Sequence, residues 1–202
     1  MLIFAFLKGV AVGFSIAAPV GPIGLLCIRR TLDNGRWAGL LTGLGAATAD
    51  AIYALLAAFG VTIGASLTKG SSWSHLTAAI VLIVVGIKMA TAKPAGKAAT
   101  PGGTTALWWF VSTFLLTLSN PLTILSFIAV FAALGPAAGG LRSNLMMTLG
   151  VFLGSVAWWL ILSGGVSAFR VSNNPKHTIW INRFSGGAIA AFGLWALLTM
   201  NN

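Results

Sequence analysis

The chain is poor in charged and reactive side chains. Only 7% of its 202 residues are charged and 57% are hydrophobic, whereas a soluble domain typically carries about 25% charged residues. So small a polar complement cannot cover a water-facing surface, and we predict an integral membrane protein. The single cysteine, Cys27, excludes an internal disulfide, a C-x-x-C redox pair and a thiolate metal site. We expect it to be a small apolar core residue.

Acidic residues are equally scarce. Two aspartates, Asp33 and Asp50, stand against 12 lysines and arginines, and the net charge is +10. A basic excess can indicate nucleic-acid binding, but these residues lie in short segments between apolar stretches, so we predict topogenic charge and no nucleic-acid partner. His75 and His177 have no further ligand residues nearby, which predicts no metal site and no cofactor. No histidine lies deep enough to activate a serine or a water, so we do not expect an enzyme.

Six apolar stretches are long enough to cross a membrane, which takes about 20 residues. They lie at roughly 3–27, 38–61, 75–92, 107–133, 145–168 and 179–200. Segment 93–106 is rich in lysine, proline and glycine and predicts a flexible linker. We therefore predict an all-α integral membrane protein with six transmembrane helices, in two three-helix repeats at 1–92 and 107–202. Since three is odd, a duplicated repeat would insert upside down, so the two repeats should be inverted.

The basic residues are distributed unequally between the predicted loops. Three lie on the side of the termini, at Lys8, Lys69 and Arg142; nine lie on the other side, at Arg29, Arg30, Arg36, Lys88, Lys93, Lys97, Arg170, Lys176 and Arg183. Loops rich in lysine and arginine stay in the cytoplasm. We expect a multi-pass protein of the cell (inner) membrane with both termini outside the cytoplasm.

Prolines interrupt the first apolar stretch of each half. Pro19 and Pro22 flank Gly21, and Asn120 precedes Pro121 near the middle of the fourth stretch. Proline lacks an N–H and clashes with the preceding turn, so helices 1 and 4 should be broken there. A break at membrane depth persists where it lines a cavity or packs on protein. Matching breaks in two halves are typical of a transporter's binding site, and we expect these five residues to bind the solute; the alternative is a pair of structural kinks.

Asp50 is the most informative single residue, because it lies near the middle of the second stretch. An acid at that depth is costly and usually faces a cavity or a partner. It could carry a coupling proton, bind a cation, hold a substrate ammonium, or form a structural ion pair with an arginine such as Arg30. Tyr53 lies one turn further on the same face and is a candidate substrate contact. Arg30 and Arg36, near Asp33, are expected to set the topology or to form a cytoplasmic gate.

Several motifs together resemble the LysE/RhtB family of amino-acid exporters. They are Pro19-Val20-Gly21-Pro22, Arg30, Gly35-Arg36-Trp37-Ala38-Gly39, Gly43, Gly45, Asp50, Tyr53, Gly60, Asn120-Pro121, Asn182-Arg183-Phe184-Ser185-Gly186 and Gly193. The resemblance spans almost the whole chain. It implies six helices in two inverted halves and export of amino acids or similar small solutes, driven by an ion gradient.

The sequence therefore predicts a secondary exporter of an amino acid or an amino-acid-like solute, coupled to a proton or cation. Its partners would be that solute, the coupling ion and the lipid bilayer, and a homodimer is compatible with the chain. An exporter of a metal cation or of another small metabolite is the alternative. A soft metal would favour thiolates, which a single cysteine cannot supply, and a hard one would require more than one deep acid. A thiol-based electron carrier would need two cysteines.

Overall fold

The computed structural model describes residues 1–68, 105–134 and 140–169, together with single helical positions within 80–91 and 183–198. These residues contain six named helices and no strand: α1 (Leu2–Ala17), α2 (Pro22–Asn34), α3 (Arg36–Thr68), α4 (Ala106–Leu118), α5 (Pro121–Leu134) and α6 (Gly140–Phe169). Apart from those single positions, the predicted third and sixth stretches, 75–92 and 179–200, lie outside the described residues, as does nearly all of linker 93–106.

Two of the described helices are long and apolar enough to cross a membrane alone, in α3 at Arg36–Gly60 and in α6 at Gly140–Ser167. Two further pairs reach the necessary length only together. Helices α1 and α2 meet at 81°, and α4 meets Thr123–Phe131 of α5 at 62°. The described part of the chain is thus all-helical, with two to four candidate membrane spans.

Both proline motifs coincide with helix boundaries. The first helix ends at Ala17, and Pro22 is the first residue of α2. Pro121 is likewise the first residue of α5, three positions after Leu118 ends α4. Proline is well tolerated at this position, because its missing N–H would have no intrahelical partner there. Each of these two prolines therefore favours the start of the helix that follows it.

Glycine alone joins α2 to α3. The second helix continues to Asn34, beyond the predicted end of the first stretch at 27, because no helix breaker occurs before Gly35. Gly35 has φ 85°, in the left-handed region that glycine adopts without a steric penalty. Its N–H donates to the carbonyl of Thr31 at 3.0 Å, and its own carbonyl accepts from Ala38 at 3.1 Å. A single residue, Gly35, is therefore enough to connect α2 to α3.

Small residues set the packing of α1 and α4 on the long helices. A Cβ on Gly150 of α6 would clash with the backbone carbonyl of Phe6, and a Cβ on Gly45 of α3 would clash with that of Phe110. Close backbone approach of this kind is typical of helix pairs in membranes, where small residues form the interface. Helix α1 therefore packs on α6, and α4 packs on α3.

The two long helices cross each other in opposite directions. Gly39 lies against Ser163 and Gly43 against Trp159, so residue numbers rise along α3 as they fall along α6. Two apolar clusters flank this crossing. One, the Phe127 cluster, contains Val12, Ile16, Ala54, Ala58, Phe127, Ala129, Val130, Phe131, Met147 and Val151. The other, the Trp159 cluster, contains Ala17, Ala18, Val20, Leu25, Leu26, Cys27, Ala46, Ala47, Trp158 and Trp159.

Large apolar side chains also cover the outside of the bundle. Leu56 of α3 is 63% exposed, Ile128 of α5 is 55% exposed and Ile161 of α6 is 58% exposed. Exposed apolar area on this scale marks a surface that meets lipid or protein rather than water. The described helices therefore have the exterior expected of a membrane protein.

Candidate functional site

The centre of the candidate site is the carboxyl group of Asp50. This side chain is 3% exposed and lies where α3 crosses α6. The hydroxyl of Ser155, on α6, donates to Asp50 Oδ2 at 2.7 Å. The indole N–H of Trp159 in turn donates to Ser155 Oγ at 3.2 Å. A chain of two hydrogen bonds therefore orients the carboxyl group from the opposite helix.

Asp50 and Ser155 form a polar layer between the two apolar clusters. On α3 the Trp159 cluster includes Ala47 and the Phe127 cluster includes Ala54, on either side of Asp50. Within the described residues no basic side chain lies within 4.0 Å of Asp50, so the structural ion pair with an arginine is not formed there. A buried charge without a partner is unfavourable in an apolar core. A proton, a cation or a solute would offset such a charge.

The first break brings Pro19, Val20 and Gly21 beside this layer. Val20 is 3% exposed and shares the Trp159 cluster with Ala46 and Ala47 of α3. The N–H of Gly21 donates to the carbonyl of Pro19 at 2.9 Å, which closes a tight three-residue turn. A Cβ built on Gly21 would meet no described atom within 4 Å. Among the described residues, nothing therefore covers the start of α2, where the first-turn N–H groups have no partner within the helix.

The second break contacts α3 through Tyr53. The Tyr53 hydroxyl donates to the backbone carbonyl of Leu118, the last residue of α4, and the ring stacks on Phe127 at 6.0 Å. Tyr53 thus satisfies a carbonyl freed by the break and does not donate to Asp50.

The buried hydroxyl of Thr117, one position before Leu118, has no hydrogen-bond partner among the described residues. Beyond it, the carbonyl of Asn120 accepts from Ile124 at 3.2 Å and so begins α5.

These contacts arrange both breaks along one face of α3. Ala47, beside the first break, and Tyr53, beside the second, each lie three residues from Asp50. Residues three apart on a helix are neighbours on its surface. Val20 and Leu118, next to the two breaks, are therefore linked to α3 within about one helical turn of Asp50.

Arg30 lies deeper than its position near a helix end suggested. Its side chain is 5% exposed and extends from α2 to the start of α4. Nη1 donates to Thr42 Oγ1 at 3.2 Å, to the Trp109 carbonyl at 3.0 Å and to Thr113 Oγ1 at 3.0 Å. Nη2 donates to Ser112 Oγ at 2.8 Å. The guanidinium group therefore links the first half of the chain to the second.

Arg36 and Asp33 occupy a different environment. Both are exposed, and Arg36 lies 5.7 Å from the centroid of the Trp37 ring. Within the described residues Asp33 makes no ion pair with an arginine, so the acid–arginine contact expected at a cytoplasmic gate is not present. Arg36 is exposed, as a topology-setting residue should be, whereas Arg30 is buried.

The sequence did not point to Ser155 or to the hydroxyl groups around Arg30. A serine in a membrane helix is common and by itself only suggests helix packing. One signal was available: Ser155 lies 105 positions after Asp50, and Gly150 follows Gly45 by the same interval. Aligning Gly150 with Gly45 would have paired Ser155 with Asp50.

The described residues around Asp50 include no cluster of metal-ligating side chains. In the parts of the chain that the structure describes, no three side chains of His, Cys, Asp or Glu come close enough to hold a metal ion. Cys27 is fully buried, and its Sγ lies 3.4 Å from the carbonyl of Gly39. The polar groups available at the site are one carboxyl group, hydroxyls and broken-helix backbone, which suit a small polar solute or a proton.

Comparison with known proteins gives a family match and two relatives. The family model described as LysE type translocator matches residues 14–200. The chain is 30% identical over 197 residues to a Bacillus subtilis protein named "Putative amino acid efflux protein YcgF", covering 94% of this chain and 93% of that one. It is 32% identical over 173 residues to "Uncharacterized membrane protein YahN" of Escherichia coli, covering 83% and 77%. No solved structure gives a significant match.

Proposed function

This chain belongs to the LysE type translocator family, and we propose that it exports an amino acid or a similar small solute across the cytoplasmic membrane. A proton or cation gradient drives the transport through Asp50. One observation carries the proposal: a carboxyl group 3% exposed lies between two broken helices, with a hydroxyl donor and no cation beside it within the described residues. The Bacillus relative's name supports the choice of an amino acid.

The hydrogen bonding of Asp50 is suited to a residue that binds and releases an ion during transport. Ser155 donates to Oδ2, and among the described residues Oδ1 has no hydrogen-bond donor. An isolated carboxylate in an apolar core is strongly unfavourable, so the group favours a bound proton or cation. When that ion leaves to one side of the membrane, Asp50 becomes negatively charged again. The conformation in which Asp50 can bind another proton or cation is then favoured.

The two breaks supply the groups that an amino acid needs. First-turn N–H groups of α2 favour a carboxylate, since the N-terminal end of a helix carries partial positive charge. Carbonyls freed at the end of α4 favour an ammonium group. The hydroxyl of Thr117, which has no partner among the described residues, adds a donor at the second break. Pro19, Gly21, Pro22, Tyr53, Asn120 and Pro121 are the residues we assign to this path.

We further propose that the two halves are inverted repeats that rock against each other. The supporting observation is a repeated contact: Gly45 meets the carbonyl of Phe110 and the N–H of Phe114, and Gly150 meets the carbonyl of Phe6 and the N–H of Val10. Each half thus lays its first helix on the second helix of the other half in the same way. Asp50 and Ser155 then lie at equivalent positions, where the two halves meet.

The proposed membrane arrangement has six spans, including 75–92 and 179–200, with both termini outside the cytoplasm of an inner-membrane protein. The excess of basic residues in the loops opposite the termini supports it. A periplasm-restricted reporter fused at either terminus should be active, and one inserted in segment 93–106 should be silent. Activity only in segment 93–106 would overturn the orientation.

The function is tested with the purified protein in vesicles. Each of the 20 proteinogenic amino acids is loaded in labelled form, and efflux is followed with and without an imposed pH or cation gradient. We expect efflux of at least one amino acid above that of protein-free vesicles, faster with a gradient. Efflux of none of them, with movement of a metal cation or an unrelated metabolite instead, would contradict the proposal.

A further inference from the structure

Arg30 is a buried cation whose charge the described chain leaves uncompensated. Its partners are three side-chain hydroxyls and one backbone carbonyl, none of which carries a net charge. Neither Asp33 nor Asp50 lies within ion-pair distance of it among the described residues. Burying an arginine is costly unless an anion accompanies it. A residue kept only to join two helices would not need this charge.

The hydroxyls around Arg30 are held as acceptors. Ser112 Oγ donates its own hydrogen to the Trp108 carbonyl at 2.5 Å, and Thr113 Oγ1 donates to the Trp109 carbonyl at 2.9 Å. Their lone pairs are therefore directed at the guanidinium group. This arrangement orients the cation without neutralising it.

Two of the five N–H donors of Arg30 have no acceptor in the described part of the chain. Nη1 shares its two hydrogens among three acceptors, and Nη2 uses one hydrogen for Ser112. The Nε–H and the second Nη2–H are left over. Two donors on one planar group match the two oxygens of a carboxylate, which arginine binds through paired hydrogen bonds.

We propose that Arg30 is the binding site for the carboxylate of the transported solute, on a cradle formed by Thr42, Ser112 and Thr113. This inference rests on the proposed function and deepens it, since it makes a free carboxylate a requirement of the substrate. Decarboxylated amines and metal cations are then excluded as good substrates. The solute supplies the counter-ion that the protein lacks.

The position of the cradle places it on the cytoplasmic side of the coupling residue in the proposed orientation. Thr42 precedes Asp50 by eight residues of α3, or about 12 Å at 1.5 Å per residue. One small amino acid cannot contact both groups at once with its α-ammonium and α-carboxylate. Arg30 therefore captures the solute before it reaches the two breaks beside Asp50.

The test compares each amino acid with its own α-amide, which keeps the ammonium and the side chain but has no carboxylate. Binding to the purified protein is followed by the shift in melting temperature, and transport by efflux from vesicles. We expect the unmodified protein to prefer the acid over the amide at least about tenfold, as for a charge-assisted pair. Arg30→Gln should abolish this preference, and Arg29→Gln, an exposed neighbour, should keep it.

A second variant keeps the inference testable if Arg30→Gln does not fold. Thr113→Val removes one acceptor from the guanidinium group but preserves the shape of the side chain. We expect the acid to bind several-fold more tightly to Thr113→Val, because the cation has lost a competing partner, while the amide is unaffected. A purely structural role for Arg30 would change both ligands equally.

The outcomes separate the two proposals. If the unmodified protein moves neither amino acids nor their amides, the exporter function itself fails. If it moves amino acids but accepts the amides equally well, or if Arg30→Gln retains the preference for the acid, only the assignment of Arg30 is overturned. An unchanged ratio of acid to amide affinity in Thr113→Val would also count against it.

Discussion

Asp50 and Ser155 join the two halves of the chain by a hydrogen bond of 2.7 Å across 105 residues of sequence. The bond lies at the crossing of the two long helices, and apolar clusters lie on both sides of it. A charge change at Asp50 therefore acts directly on the contact between the halves. In the proposed mechanism, this geometry links the occupancy of the Asp50 carboxyl group to the packing of α3 on α6.

Replacing Asp50 with asparagine should uncouple transport while preserving the fold. Asparagine can still accept the hydrogen bond from Ser155 through its amide oxygen, but it cannot bind a proton or carry a charge. We expect the gradient-driven part of efflux to fall at least about tenfold, given the cost of an uncompensated charge at this depth. Vesicle efflux with and without the gradient measures it. Asp33→Asn, at an exposed site, is the matched control, and gradient-driven efflux that survives in Asp50→Asn would exclude Asp50 as the coupling residue.

Ser155→Ala should impair both stability and transport. The change leaves Asp50 Oδ2 without its donor and the Trp159 indole N–H without its acceptor. Each buried polar group left unpaired costs about 1–3 kcal/mol. Thermal unfolding in detergent should show the loss of stability, and Ser155→Thr, which keeps the hydroxyl, should recover most of it. Equal melting temperatures for the alanine variant and the unmodified protein would argue against this bond.

Gly21→Ala tests whether the solute passes the first break. The backbone of Gly21, at φ −88°, is accessible to alanine, and its Cβ would meet no described atom within 4 Å. The fold should therefore tolerate the methyl group, while efflux should fall because the group projects into the path. Gly60→Ala, an exposed helical position with equally open surroundings, should leave efflux unchanged and gain stability of up to about 1 kcal/mol. Full transport by Gly21→Ala would place the path elsewhere.

Gly45→Ala and Gly150→Ala should destabilise the protein to a similar degree. In each case a Cβ would overlap the backbone carbonyl of a neighbouring helix, and backbone can move aside only by shifting that helix. Overpacking of this kind costs about 1–3 kcal/mol or more. Melting temperatures of the two variants should fall together, and Gly164→Ala, where no described atom lies within 4 Å, should not change. A large drop in only one of the pair would contradict the equivalence of the two contacts.

Tyr53→Phe separates the two contacts of that side chain. The variant loses the hydrogen bond to the Leu118 carbonyl but retains the stacking on Phe127. We expect a loss of about 1 kcal/mol in the free energy of unfolding and slower efflux, because the hydroxyl no longer holds the backbone of the second break in place. Tyr53→Leu should lose more stability, since it also removes the ring. If Tyr53→Phe transports normally, the hydroxyl has no part in the path.

Much of the helical architecture could be predicted because it follows from local properties. Apolar stretches of sufficient length gave α3 and α6, whose described cores agree with the second and fifth stretches. Helix boundaries at Ala17, Pro22 and Pro121 follow from the lack of an N–H in proline, a property of single residues. The extension of α2 to Asn34 was missed because hydropathy, rather than the absence of a helix breaker, defined the first stretch.

The chain by itself determined that this is a helical membrane protein of the LysE type, with helix boundaries near Pro22 and Pro121 and an acid deep in the second apolar stretch. Only the tertiary structure decided which groups those residues meet. Arg30 reaches Thr113 across 83 residues, and Asp50 reaches Ser155 across 105. Composition and helical period describe the neighbours of a residue within a few turns, whereas these contacts depend on how helices far apart in the chain pack together.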